Sequence, residues 1–154
     1  MKKLLYLFLL LPFAMLTSCN KEDLAPFAMT LTLSNVSGVD GSFYAVAGTN
    51  ITIESLTVDP IGGKNTALQG VMFYLDGRPM LGAPWFATAP WVFSTEGLAP
   101  GQHTIGIAGN LLQIDQSIQE FTASYSLVIV DSTESLPEGA PELGTSSQTI
   151  VYNN

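Results

Sequence analysis

Cysteine is nearly absent. Cys19 is the only one, so no intrachain disulfide can form and no cysteine-rich metal site can be built. Histidine is equally scarce, with His103 alone. Basic residues are few, five against thirteen acids, and the formal net charge is −8. A chain of that sign repels nucleic acid and anionic lipid heads, so a basic-patch reader of either is excluded. No Asp-x-Asp-x-Asp run offers the converging oxygens that calcium requires. No glycine-rich loop leads into a lysine, so nothing marks a phosphate cradle. No nucleophile, base and orienting group stand together, and no cofactor motif is present, so no catalytic set and no enzymatic activity are expected. The chain also lacks a long apolar run. Leu4 to Leu16, 13 residues with Pro12 inside, falls short of the roughly 20 that a spanning helix needs. No segment carries an amphipathic helical stripe.

That apolar run has a different character. It follows Met1-Lys2-Lys3 and ends in small residues, which is the pattern of a secretory signal. Its ending, Leu16-Thr17-Ser18-Cys19, resembles the lipobox of bacterial lipoproteins. The resemblance implies cleavage before Cys19 and acylation of Cys19. Residues 1–18 are then a lipoprotein signal peptide and 19–26 a tether. A membrane attachment through N-terminal lipid follows, held by burial of more than one acyl chain. Lys21-Glu22-Asp23 resembles, one residue late, the export signal of surface lipoproteins in Bacteroidetes-type bacteria. The expected address is the outer membrane, with surface exposure, and the periplasmic face is kept as the alternative. The plainer reading of these charges is a solvated linker. From Cys19 onward the chain keeps three basic residues and all thirteen acids, a formal net charge of −10.

Period-two patterning dominates the chain beyond the tether. Met29, Leu31 and Leu33 alternate with Thr30, Thr32 and Ser34, as in a half-buried strand. The alternation in "NITIESLTV" changes phase near Ser55, which points to a bulge. Val71, Phe73 and Leu75 share a face, and Asp76-Gly77 then supplies a tight hairpin turn. Trp91 and Phe93, then His103, Ile105 and Ile107, then Phe121 to Ile129 at every second position, continue the series. Short strands between recurrent turn signals predict an all-β, antiparallel sandwich of about seven strands over 27–131. Residues 132–154 hold prolines, glycines and three glutamates with few large apolar groups, and read as a flexible acidic tail with a short β-prone end, "QTIVYNN".

Within this frame, "GVMFYLDGRPMLG" and "APWVFSTEGLAPGQHTI" resemble the bacterial immunoglobulin-like domain. The matching positions are Phe73, Tyr74, Asp76, Gly77, Pro90, Trp91, Leu98, Gly101, His103 and Ile105. The resemblance implies an immunoglobulin-like sandwich and leaves the ligand open, since that fold hosts many functions. The chain departs from the family after Ala108, where "GNLLQIDQSIQE" forms a longer loop carrying Leu111, Leu112, Ile114 and Ile118. These are expected either to fold back as a flap or to form an exposed apolar tip.

Candidate contacts follow from exposure. Trp85 and Phe86 are adjacent, so one sheet face cannot bury both, and an exposed ring can stack on a sugar or anchor a protein. The plainer reading is a loop ring over the open end of the core. Trp91, Leu111 and Leu112 complete the candidate set. His103 is expected to serve a structural corner by bonding the backbone upstream, as side chains do at such corners. No metal is expected. The expected function is a non-enzymatic, lipid-anchored envelope module for binding, adhesion or spacing. The alternatives are a carbohydrate-binding surface lipoprotein, or an assembly subunit whose C-terminal strand pairs with a neighbour. The partner is a glycan or a surface protein, not nucleic acid.

Overall fold

The computed structural model describes residues 25–62, 65–83, 90–113 and 118–153. Cys19 and the other residues up to 24, expected as signal peptide and tether, lie outside them, as do Trp85 and Phe86. Nine strands occur among the described residues: β1 (Phe27–Val39), β2 (Ser42–Val46), β3 (Asn50–Pro60), β4 (Thr66–Leu75), β5 (Arg78–Pro79), β6 (Trp91–Ser94), β7 (Gly101–Gln113), β8 (Gln119–Val130) and β9 (Gly144–Tyr152). The fold is all-β and sandwich-like. No helix among the described residues is long and apolar enough to cross a membrane, a statement that does not touch β-barrels.

Two layers share one strand. The first layer runs β6-β3-β1-β9, and the second runs β5-β4-β7-β8-β2. β1 belongs to both. Its residues up to Val36 pair with β3 or β9, and Ser37 to Val39 pair with β2. Asn35 makes the change of layer. It sits at φ 64, a left-handed conformation that asparagine tolerates, and its side-chain amide donates to Asn50 O at 2.7 Å. The alternation Phe27, Met29, Leu31, Leu33 is inward up to that point. Beyond it, consecutive Val36 and Ser37 are both buried. A second irregularity lies between Thr32 and Leu33, opposite Ser55 and Ile53, where Glu54 is the extra residue, next to the phase change at Ser55.

Three details depart from the sequence reading. The strands number nine rather than about seven, because β5 and β9 are additional short or late elements. One pairing is parallel: β2 runs alongside β8 from Ser42↔Ser126 to Val46↔Val130. The hairpin from β1 to β2 at Asp40-Gly41 turns the chain so that its early strand lies beside its last core strand in the same direction. Thirdly, the segment expected as a flexible tail contains β9, which pairs antiparallel with β1 from Phe27↔Tyr152 to Val36↔Gly144. The structured part therefore extends past residue 131. The strand is held by contacts that hydropathy does not register. On its outer face Thr30 meets Thr149 at 2.8 Å, Thr32 meets Ser147 at 2.8 Å, and Ser34 meets Thr145 at 2.9 Å, hydroxyl to hydroxyl. At its end the Tyr152 ring stacks on Phe27, centroids 4.5 Å apart.

The core lies between the layers. Phe27, Met29, Leu31, Leu33, Phe43, Ile51, Ile105 and Leu127 are fully buried. Tyr125 joins the two layers, its hydroxyl donating to Met29 O at 2.9 Å.

Candidate functional site

Three surface features and one corner carry the chemistry of this sandwich. The corner forms where the β4–β5 hairpin meets the start of β7. Asp76 and Gly77 have φ of 50 and 75, so the turn needs left-handed geometry at both central positions, and an Asp-Gly pair supplies it. The Asp76 carboxylate accepts from the Thr104 amide at 2.9 Å and lies 2.7 Å from His103 Nδ1. His103 Nε2 lies 2.7 Å from Ala99 O, four residues upstream. Both ring nitrogens face acceptors, so the imidazolium, which donates from both, fits the corner best. The Ala99 carbonyl, then the Asp76 carboxylate, hold the His103 pKa above its ordinary value despite burial. For Asp76, slight burial raises the pKa, but the His103 and Thr104 hydrogen bonds and the charges of His103 and Arg78 outweigh it and leave the pKa below its ordinary value. His103 is thus used up holding a turn to a strand.

Beside this corner, the layers part at the edge between β5 and β6. The cleft there has a volume of about 500 Å³, with Leu75, Met80, Leu98, Trp91 and Phe93 on its walls and Arg78 at the rim. Trp91 and Phe93 stack at 5.8 Å with planes 19° apart, as expected of alternate residues on one face. Trp91 is half-buried against the core rather than free.

The outer face of β4, β7 and β8 is the feature that sequence reasoning missed. In cross-strand rows, Tyr74 lies opposite Gly106, which lies opposite Ser124, and Met72 lies opposite Ala108, which lies opposite Thr122. Large residues on β4 beside tiny ones on β7 leave a trough. Two depressions, of about 440 and 630 Å³, share Tyr74, Ala108 and Thr122. The Tyr74 hydroxyl reaches along the ridge to Met72 Sδ at 3.0 Å. Asn110 and Glu120 line one depression, and Thr104 and Asp76 the other. The signal was present in the sequence: "MFYL" carries bulk at the outward positions, whereas "GIAG" carries almost none.

The longer segment after Ala108 is not a flap over its described part, where Leu112 and Ile118 are the exposed apolar residues. It prolongs the β7–β8 hairpin, with Leu111 paired to Gln119. Leu111 is fully buried on the inner face, so it cannot contact a ligand, while Leu112 points outward and is 41 % exposed. Strand alternation separates the two neighbours. Among the described residues, no group of three or more His, Cys, Asp or Glu converges to hold a metal. No family model matches the chain, and no curated protein matches it.

Proposed function

We propose that this chain is a non-enzymatic binding module of the bacterial cell envelope, lipid-anchored at Cys19 and displayed on the outer membrane. The tether sets an immunoglobulin-like sandwich off the membrane, and the outer face of β4, β7 and β8 meets the ligand. The observation that carries this reading is the trough beneath Tyr74, with a glycine and an alanine as floor and hydroxyls, an amide and a carboxylate within reach. Its size is that of small-ligand sites. Its makeup favours a neutral glycan: an aromatic ring offers a sugar a stacking face, and the polar groups bond its hydroxyls. Leu112 extends the same face. Trp85 and Phe86 remain candidates for a second contact, and Trp91 for a lesser one.

Two measurements test the parts separately. Cys19→Ala should release the protein from the membrane fraction, and protease added to intact cells should remove the domain. Membrane retention of Cys19→Ala, or protection from protease, refutes the anchor or the outer address respectively. On a glycan array, the wild-type chain should bind neutral oligosaccharides and Tyr74→Ala should lose them. Binding that survives Tyr74→Ala removes the trough from the proposal.

A further inference from the structure

We infer that the seam between β8 and β9 is an acceptor site for a short extended peptide of neutral to basic character. This site is separate from the outer trough and does not depend on it. β2 covers β8 only from Ser126 to Val130, so the N-terminal half of β8 has no strand on that side among the described elements. The orientation of its backbone is fixed by two contacts. Val130 O accepts from Ala47 N on the β2 side, and Thr122 O accepts from the Tyr152 hydroxyl of β9. The β7–β8 ladder runs through this stretch without a register shift. Backbone groups of alternate residues point the same way, so the N–H and C=O of Ser124 also point into the seam.

The Tyr152 side chain bridges the seam at one end, and an inserted strand needs two strand spacings, roughly 9–10 Å, between its neighbours. Beyond Tyr152 a groove of about 380 Å³ opens, with Ser124, Ser126, Ser146, Gln148 and Asp40 on its walls. One polar group on the wall is unsatisfied: the side-chain nitrogen of Gln148 is buried and has no hydrogen-bond partner. An unmade bond to a buried donor is costly, and a peptide carbonyl laid along the groove would satisfy the Gln148 amide once that side chain turns toward it. Peptide addition at an open strand edge supplies such groups at the right spacing. Asp40 is the charged residue on the wall and the whole chain carries −8, so a lysine or arginine on the incoming segment is favoured over an acid.

The test uses the full chain with Cys19→Ser, ¹⁵N-labelled, and two synthetic peptides, Lys-Ser-Val-Thr-Val-Ser-Lys and Glu-Ser-Val-Thr-Val-Ser-Glu. The lysine peptide should shift the Ser124 and Ser126 amides and the Gln148 side-chain amide in a saturable way, and should slow hydrogen exchange at Ser124. The glutamate peptide should bind about tenfold or more weakly. Ser124→Pro removes an N–H that β7 does not use and should abolish binding. If that variant fails to fold, Gln148→Leu decides, with an expected loss of about tenfold, the worth of one buried hydrogen bond. Absence of a saturable shift at Ser124, shifts confined to Tyr74 and Gly106, or unchanged affinity in Gln148→Leu overturns the site. Equal affinity for the two peptides overturns its charge preference.

Discussion

Deleting β9 is the most informative perturbation of this fold. A chain ending at Leu143 loses the whole ladder from Phe27↔Tyr152 to Val36↔Gly144. The backbone part of the loss is small on balance. Each ladder hydrogen bond contributes about 0.5–1.5 kcal/mol net, and ordering each residue costs about 1–2 kcal/mol, so these two nearly offset. The side chains decide the outcome. Ile150 and Tyr152 are half-buried against the core, and half of a full burial is worth about 1 kcal/mol apiece. The stack of Tyr152 on Phe27 adds about 0.5–1.5 kcal/mol. The three hydroxyl pairs add a few tenths of a kcal/mol each. The truncated chain should therefore unfold with about 3–4 kcal/mol less stability, read as a lower midpoint in urea at nearly unchanged cooperativity. Removing residues 132–143 alone would not test this, because it also removes the linker that lets β9 reach its place. An unchanged midpoint for the chain ending at Leu143 would refute the assignment of β9 to the sandwich and restore the reading of that segment as a free tail.

Gly109→Ala should destabilise the sandwich by about 1–3 kcal/mol in thermal unfolding, since a Cβ there would sit 2.5 Å from Gly70 O and 2.9 Å from the Phe121 ring. Tyr125→Phe should cost about 0.5–1.5 kcal/mol, because it removes the buried hydrogen bond that ties β8 to the Met29 carbonyl, which keeps its place in the β1–β9 ladder; wild-type stability in that variant would show that this bond adds nothing to the joining of the layers. The corner gives a pH dependence with a definite sign. The pKa of His103 is raised in the fold, so its contribution is complete below the ordinary value of 6.5 and is lost as pH rises through the higher folded value. The pKa of Asp76 is lowered, so its contribution is present above 3.8 and is lost as pH falls through the folded value. Urea midpoints should decline as pH rises from 6.5 through the higher folded value in the wild type, and His103→Gln should flatten that decline. An equal slope in both would refute the clamp.

The parts of this fold that were legible in the sequence are those that rest on side-chain direction. Alternation in 29–33, 71–75, 103–107 and 121–129 separates inner from outer residues because successive side chains on a strand leave opposite faces. The Asp76-Gly77 turn was legible because few residue pairs accept two positive φ angles. Partnership was not legible. Alternation assigns a face and says nothing of the neighbour, so the parallel β2–β8 pair could not be read. β9 was hidden for a related reason. Its partner face on β1 presents Thr30, Thr32 and Ser34, so the pairing is hydroxyl to hydroxyl and its first half, "GTSSQ", has no apolar signal. The trough under Tyr74 was legible only as a contrast between "MFYL" and "GIAG", because it is made by what β7 lacks and not by an exposed aromatic cluster. Leu111 and Leu112 form one apolar feature only if the chain past Ala108 is a loop. Continuing as β7, it sends them to opposite faces.

The seam follows from the same strand switch that makes the sandwich. A first strand lying wholly in one layer would leave the far side of β8 uniformly open or uniformly covered. Here Asn35 turns β1, Val36 is its last residue paired in the first layer, and only the last three residues of β1 pair with β2. β2 then has room for five residues beside β8 before Val46 ends it, which fixes the covered stretch at Ser126 to Val130. The uncovered half of β8 faces β9, and the Tyr152 hydroxyl bridges that gap at Thr122 O. Burial of this hydroxyl raises its pKa, so it remains a proton donor well beyond neutral pH. Tyr152→Phe would remove the bridge and return the Thr122 carbonyl to the seam while keeping the ring on Phe27. The inserted peptide would gain one more acceptor along β8, so its affinity should rise in this variant by about tenfold, even though the free protein becomes less stable. A fall in both quantities would mean that Tyr152 forms a wall of the site and not a gate across it.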